Sequence, residues 1–140
     1  MRELKIVQCV IEQEDRYFLQ YRSGSASIGA AGLLGCFGGK IEPNETPEQA
    51  IIREVAEETN LALGSSDLEY LGKVQVVSDY QNQLVNIKSR VYGANIPNST
   101  VISAKEGMLF PVRKDSITAY YEKMTPATRA LFGERLKGEI

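Results

Sequence analysis

Between Gly39 and Leu61 this 140-residue chain places six of its 18 acidic residues and only two basic ones. Carboxylates at that density repel one another unless a cation sits among them. Three of them, Glu54, Glu57 and Glu58, stand at i, i+3 and i+4, a spacing that groups side chains along one flank of an α-helix. Oxygen donors grouped in this way suit a hard divalent cation such as Mg²⁺, which takes oxygen ligands octahedrally and keeps several waters. A cation held there would bridge phosphate oxygens, offset their charge and acidify a bound water. Arg53 precedes Glu54, and its planar fork can grip a carboxylate through two hydrogen bonds and keep the cluster from splaying. Most helices carrying three acids simply present them to water, so the surrounding chain has to decide between the two readings.

The helix that would carry these acids is well marked. Thr46 is a natural N-cap, Pro47 suits the first helical position, and Gln49 completes a capping box. At helical spacing Ile52, Val55, Ala56 and Thr59 form an apolar arc toward the core, with Glu54, Glu57 and Glu58 expected on the opposite arc. Asn60 stands where the helix should stop, in a position that a left-handed residue would fill. Before the helix, the pair Gly38-Gly39 permits a bulge or a close backbone approach. Leu4 to Ile11 is a near-continuous apolar run interrupted by Gln8, read as a strand covered on both faces. Tyr17 to Tyr21 follows as its hairpin partner. Ser23 to Gly35, rich in Gly, Ala and Ser, is expected to be a mobile loop beside a site. Leu68 to Val77 and Leu84 to Gly93 read as a long antiparallel pair, with short strands at Val101 to Ser103 and Met108 to Val112. Asp115 to Lys123 holds one or two helical turns, and Thr125-Pro126 opens a terminal amphipathic helix running to Lys137.

The totals exclude several classes. The length fits one domain, residues 1–140. A net charge of −2 gives no nucleic-acid coat and no membrane-binding surface, so no stable nucleic-acid complex and no membrane association are expected. The chain has no histidine, which removes Ser-His-Asp and Cys-His catalysis, and its two cysteines, Cys9 and Cys36, read as buried reduced thiols. No signal-peptide pattern and no run of transmembrane length occur, making the cytoplasm the expected compartment.

Gly39, five residues, Glu45, seven residues, Arg53-Glu54-Val55, one residue, Glu57-Glu58, one residue, then Asn60-Leu61: this order resembles the signature of the Nudix hydrolase family. Every fixed position is met except the last Gly, which is Asn60 here. The resemblance implies an α/β/α sandwich with a mixed β-sheet, in which the signature forms a catalytic loop-helix-loop. It implies hydrolysis of a nucleoside diphosphate linked to another moiety, with Mg²⁺ or Mn²⁺ and water attack at phosphorus. Carried over by position, Glu54, Glu57 and Glu58 are implied metal ligands, Glu45 a supporting acid near the metal, Arg53 the orienting arginine and Gly39 a backbone site beside the metal. In MutT-like members a Glu-Gly in a later loop supplies a ligand or base, which places Glu106 in that role. The general base itself differs among members, on the signature helix in some and in a later loop in others. Arg22 resembles an arginine that contacts nucleotide or phosphate, and a homodimer is a common assembly among such proteins.

Outside the signature the likeness is thinner. Leu34 and Phe37 stand where many members have Trp and Pro. Val76 stands where enzymes of the ADP-ribose class often carry Pro, which leans toward a compact MutT-like enzyme. Lys40, Lys88 and Arg90 are further candidates for gripping a nucleotide, with Asn86, Lys88, Arg90 and Tyr92 expected on one strand face. Tyr80, Phe110 and Tyr120 could each stack a base, and nothing in the sequence selects among them. The expected substrate is a nucleoside triphosphate, modified or not, cleaved to monophosphate and pyrophosphate. Nucleotide sugars, dinucleotides and RNA 5′ ends are alternatives, as is a non-catalytic module that senses a nucleotide. The expected mark of that last case, loss of the signature carboxylates, is not seen here.

Overall fold

In a computed structural model, which describes residues 1–22 and 32–140, the architecture follows from one strand. β1 (Arg2–Gln13) is flanked on one side by β6 (Gln83–Asn95) in a long parallel ladder from Arg2↔Val85 to Glu12↔Asn95. Its other side is shared. β4 (Phe37–Lys40) pairs antiparallel with it from Ile6↔Lys40 to Cys9↔Phe37, and β2 (Arg16–Tyr21) takes over from Ile11↔Phe18 to Gln13↔Arg16. β2 in turn carries β3 (Leu34–Gly35) and β7 (Met108–Arg113), while β5 (Glu69–Tyr80) pairs antiparallel with β6. The result is a mixed sheet that divides along β1, with β4 paired to β1 off the main path β3-β2-β1-β6-β5.

A helix covers each face, so the expected α/β/α sandwich is the observed one. α1 (Pro47–Glu58) packs Ala50, Ile51 and Val55 against Val7, Cys9, Ile11, Phe18 and Phe37. α2 (Pro126–Leu136) packs Leu131 and Phe132 against Val10, Leu19, Val74 and Val91. β1 therefore alternates between two cores, which is why it reads as an apolar run rather than as a simple in-out pattern. Cys9 and Cys36 are free thiols buried in these cores, and burial raises the pKa of both, that of Cys36 to about 12. No helix among the described residues is long and apolar enough to cross a membrane.

Several expectations need correction, and residues 23–31 of the anticipated mobile loop lie outside the described residues. The buried face of α1 is Ala50, Ile51, Val55 and Glu58, whereas Ile52 and Ala56 are only half-buried. On a helical wheel Glu58 lies roughly 60° from Val55, so the acid flank adjoins the core instead of opposing it. Asn60 is not left-handed: the helix ends at Thr59 in extended geometry (φ −135°, ψ 176°), with the Thr59 hydroxyl donating to the Val55 carbonyl. Val101 to Ser103 forms no strand; only Ala104 makes an isolated bridge, with Thr59. The end of the anticipated loop is instead strand: Leu34–Gly35 is β3, and Phe37–Lys40, where only a bulge or close approach was expected, is β4. The other strands and helices stand within a few residues of their expected bounds, and Lys114–Lys123 is a 3-10 helix.

Because Ile51 is fully buried, Ile51→Ala is expected to destabilise the fold by about 2–5 kcal/mol in urea unfolding, with a clearly smaller loss for the half-buried Ile52→Ala.

Candidate active site

The signature helix starts as its sequence requires. Thr46 Oγ1 accepts from the Gln49 N–H at 3.1 Å and Gln49 Oε1 accepts from the Thr46 N–H at 2.9 Å, closing the capping box. The preceding loop turns through a left-handed Asn44 (φ 65°) and is closed by the Glu42 N–H donating to Glu45 Oε1 at 2.9 Å. This geometry aims Glu45 at Arg53.

Arg53 is the hub of the site. Its Nε and Nη2 grip Glu45 bidentately at 2.7 and 2.9 Å. Nη2 also donates to the Lys40 carbonyl at 3.1 Å, and Nη1 to Glu54 Oε1 at 2.9 Å. Nη1 lies farther from Glu57, at 3.4 Å, and from Glu42, at 3.6 Å. Two classes of acid result. Glu45 has both oxygens engaged, and the Arg53 guanidinium together with the Glu42 N–H holds its carboxyl down to about 2. That environment suits the supporting role which the resemblance implies, rather than direct ligation. Glu54 and Glu58 are pushed the other way. Burial is the main cause for each; the Glu57 and Glu106 charges add to it at Glu54, and those of Glu54 and Glu106 at Glu58, which rises to about 8. Glu58 is 5% exposed, and its Oε1 accepts from the Gly38 N–H at 2.9 Å. Glu57 is the open member, with its side chain 54% exposed.

The glycine pair is shaped by these contacts. A Cβ on Gly39 would fall 2.5 Å from Glu54 Oε1, and one on Gly38 would run into the Val7 carbonyl oxygen. The Gly39 backbone is thus bare toward the carboxylates, as a backbone donor site beside a metal needs to be. Glu106 also joins the cluster electrostatically, since its charge acts on both Glu54 and Glu58. Its loop is tied to the end of α1 by the Lys105 N–H donating to the Glu58 carbonyl at 2.7 Å.

These donors fit a hard divalent cation. All are oxygens, and two of the carboxylates carry raised pKa values, first because they are buried and then because neighbouring carboxylates repel them. Among the described residues no three acidic side chains already converge in a closed cage. The Arg53 guanidinium stands between Glu54 and Glu57 as counter-charge, and the Gly38 N–H serves Glu58.

On the opposite face of the glycine strand lies a cleft of about 210 Å³. Its floor is the part of the sheet that α2 leaves uncovered, with Leu4, Ile6, Gln8 and Ile87, and its walls include Arg22, Lys40 and the start of α2. Gln8, which only interrupted an apolar run in the sequence, proves to be a structural node: its Nε2 donates to Thr128 Oγ1 at 3.0 Å and its Oε1 accepts from Ser89 Oγ at 2.7 Å. Arg22 lines the cleft, acts electrostatically on Glu58, and has a buried Nε with no partner among the described residues. Tyr80 stands at the rim with Lys40 Nζ 5.8 Å from its ring centroid. Phe110 and Tyr120 instead pack edge-on against each other, centroids 5.5 Å apart, beside the α2 core. Of the three aromatic candidates, Tyr80 is the one beside the site.

Lys88 and Arg90 are not brought to this cleft. They line a separate groove of about 630 Å³ with Lys5, Lys73, Ile41 and Glu45, and Lys88 is ion-paired with Glu3 at 2.8 Å. Sequence reasoning missed that split, because a strand's two faces are distinguishable in sequence but the layer each one meets is not.

The raised carboxyls set a pH dependence. A carboxyl whose folded pKa exceeds its unfolded value stabilises the fold at low pH and loses that contribution as pH rises through the folded value. For Glu58 the window runs from 4.5 to about 8. The melting temperature of the metal-free protein is therefore expected to fall across that range, and Glu58→Gln to flatten the decline, as measured by thermal scans in chelator.

The sequence model of the NUDIX domain matches residues 2–126. The CTP pyrophosphohydrolase of Escherichia coli (strain K12) is 36% identical over 61 residues, 44% of this chain and 44% of its own length. The 8-oxo-dGTP diphosphatase of the same organism is 40% identical over 62 residues, 44% of this chain and 46% of its own length. The matched stretch thus spans less than half the length of these relatives. In fold, the crystal structure of the MutT protein from Methanosarcina mazei Go1 superposes with a TM-score of 0.75 at 22% identity, covering 99% of this chain and 95% of that one. With the family pattern matched over nearly the whole chain, this protein belongs to the NUDIX domain family.

Proposed function

We propose that this chain is a divalent-metal-dependent pyrophosphohydrolase that cleaves a nucleoside triphosphate to monophosphate and pyrophosphate. One observation carries the reading: the strand Gly38-Gly39 has the acidic cluster on one side and the cleft on the other. Glu58 bonds the Gly38 N–H and Glu54 crowds Gly39, while Gly38, Gly39 and Lys40 line the cleft. A nucleotide with its base in the cleft near Tyr80 would have its phosphates led past Arg22 and Lys40 to the carboxylates. The relatives named for CTP and for 8-oxo-dGTP lend support to a triphosphate substrate.

Mg²⁺, or Mn²⁺ in its place, would be held by Glu54, Glu57 and Glu58 with the Gly39 backbone beside them; when bound, it supplies charge neutralisation on the phosphates and acidifies water. The protein's own groups do the remainder. Arg53 keeps Glu54 and Glu57 in place, and Glu45 keeps Arg53 in place. Water attacks an inner phosphorus, a new P–O bond forms, and the bond to the departing pyrophosphate breaks. The proton from water passes to a carboxylate, for which Glu106 is the candidate outside the helix. Arg22 and Lys40 offset charge on the leaving oxygens.

A panel of nucleotides, including CTP and 8-oxo-dGTP, hydrolysed with Mg²⁺ or Mn²⁺ in oxygen-labelled water is expected to yield free pyrophosphate, with label in only one of the two products. A second organic phosphate as product would assign a nucleotide-sugar or dinucleotide substrate instead. Tight metal-dependent binding without turnover of any member would make the chain a sensing module. Glu57→Gln is expected to lower kcat by at least about 100-fold while leaving the circular dichroism spectrum and melting profile close to wild type.

A further inference from the structure

Asn60 occupies the one signature position that departs from the family pattern, and it does not act as a helix cap. Its Nδ2 donates to the Val101 carbonyl at 2.8 Å, and its Oδ1 accepts from the Ser103 N–H at 2.8 Å. Its own N–H donates to the Ser103 carbonyl at 3.2 Å. A single residue thus satisfies the backbone on both sides of Ile102, the segment's buried anchor, in a stretch that belongs to no strand. Two further ties follow along the chain: the Lys105 N–H on the Glu58 carbonyl at 2.7 Å, which together with the Asn60–Ser103 backbone bond makes up the Thr59–Ala104 bridge, and Gln20 Nε2 donating to the Glu106 carbonyl at 2.9 Å. Gly107 then turns in the left-handed region (φ 64°), where a Cβ would collide with the Tyr21 carbonyl oxygen.

We propose that Asn60 is a positioning residue for Glu106: it clamps residues 101–105 to the end of the signature helix and so fixes where Glu106 stands over Glu54 and Glu58. The proposal rests on the functional reading above only in taking Glu106 as part of the metal centre. Glycine at this position could supply the single backbone N–H bond but neither side-chain bond, leaving the Val101 carbonyl and the Ser103 N–H without their partner. The segment would then be held on Ile102 and the bonds beyond it, and Glu106 would sample a wider range of positions. The departure from the family pattern is, on this view, what makes the Glu106 arm a fixed one in this chain.

Two measurements decide it. In hydrogen–deuterium exchange, Asn60→Gly is expected to speed exchange at the Ser103 and Lys105 amides by about 10-fold or more, with α1 protection unchanged. In Mn²⁺ titrations followed by electron paramagnetic resonance, Asn60→Gly is expected to weaken binding by about 3- to 10-fold, and to add less than about 2-fold when Glu106 is already Gln. Asn60→Ala, which also lacks both side-chain bonds and fits the non-left-handed backbone at this position, serves the same tests if the glycine variant does not fold. Unchanged exchange, or losses that multiply fully in the double variant, would overturn the proposal alone. Wild-type Mn²⁺ affinity in Glu106→Gln by itself would overturn the assignment of Glu106 and the proposal with it.

Discussion

Arg53 holds together two pieces of chain that would otherwise repel each other. The loop from Lys40 to Glu45 and the flank of α1 bring Glu42, Glu45, Glu54 and Glu57 around one guanidinium. Glu45 supplies the strong contact, a bidentate fork with both oxygens engaged, and this fixes the planar group so that its third nitrogen is presented to Glu54. The Gly38 N–H does the equivalent for Glu58 from the opposite direction. The cluster is therefore pinned at two ends by groups that are not carboxylates, and its centre is left short of positive charge. Burial and mutual repulsion keep the Glu54 and Glu58 carboxyls raised, a state that a divalent cation relieves.

The sheet converts that local arrangement into a site with two sides. β1 exchanges one neighbour for another between Cys9 and Ile11, passing from β4 to β2. β4 can then run between the acid cluster and the cleft, and glycines are needed there because the β1 backbone at Val7 crowds Gly38 and the Glu54 carboxylate crowds Gly39. The cleft itself exists because α2 covers the sheet over Val10, Val74 and Val91 and stops short of Leu4, Ile6 and Ile87. Its polar floor, Gln8 with Ser89 and Thr128, is internally satisfied, so it stiffens that side of the cleft. The lysine and arginine that lie on the other face, Lys88 and Arg90, answer to a different surface.

Much of this was legible in the sequence where the physics is local. The capping box at Thr46 and Gln49, the polar connection around 79–83 between two long strands, and the Thr125-Pro126 start of α2 are each written in adjacent residues. The grouping of Glu54, Glu57 and Glu58 with Arg53 was legible through spacing. What escaped was set by tertiary contact. Glu58 looked like a surface acid, yet its position beside the core arc and the reach of Gly38 bury it. Asn60 looked like a left-handed cap because it stands where the helix should stop, yet a distant loop at 101–103 claims its side chain. The parallel pairing of β1 with β6, separated by most of the chain, has no local mark at all. Gln8 was visible as an exception in an apolar run, and such an exception in a buried strand is the one sequence signal that pointed to the cleft floor.

The most direct measurement of the central claim, that this is an acid cluster built to be completed by a cation, is calorimetric titration of Mg²⁺ or Mn²⁺ at pH 7 in buffers of different ionisation enthalpy. Glu58, raised to about 8 in the metal-free protein, has to give up its proton to become a ligand. Release of approximately one proton per site filled is expected, falling away in Glu58→Gln. Binding with no proton release, or no binding at millimolar metal, would contradict it.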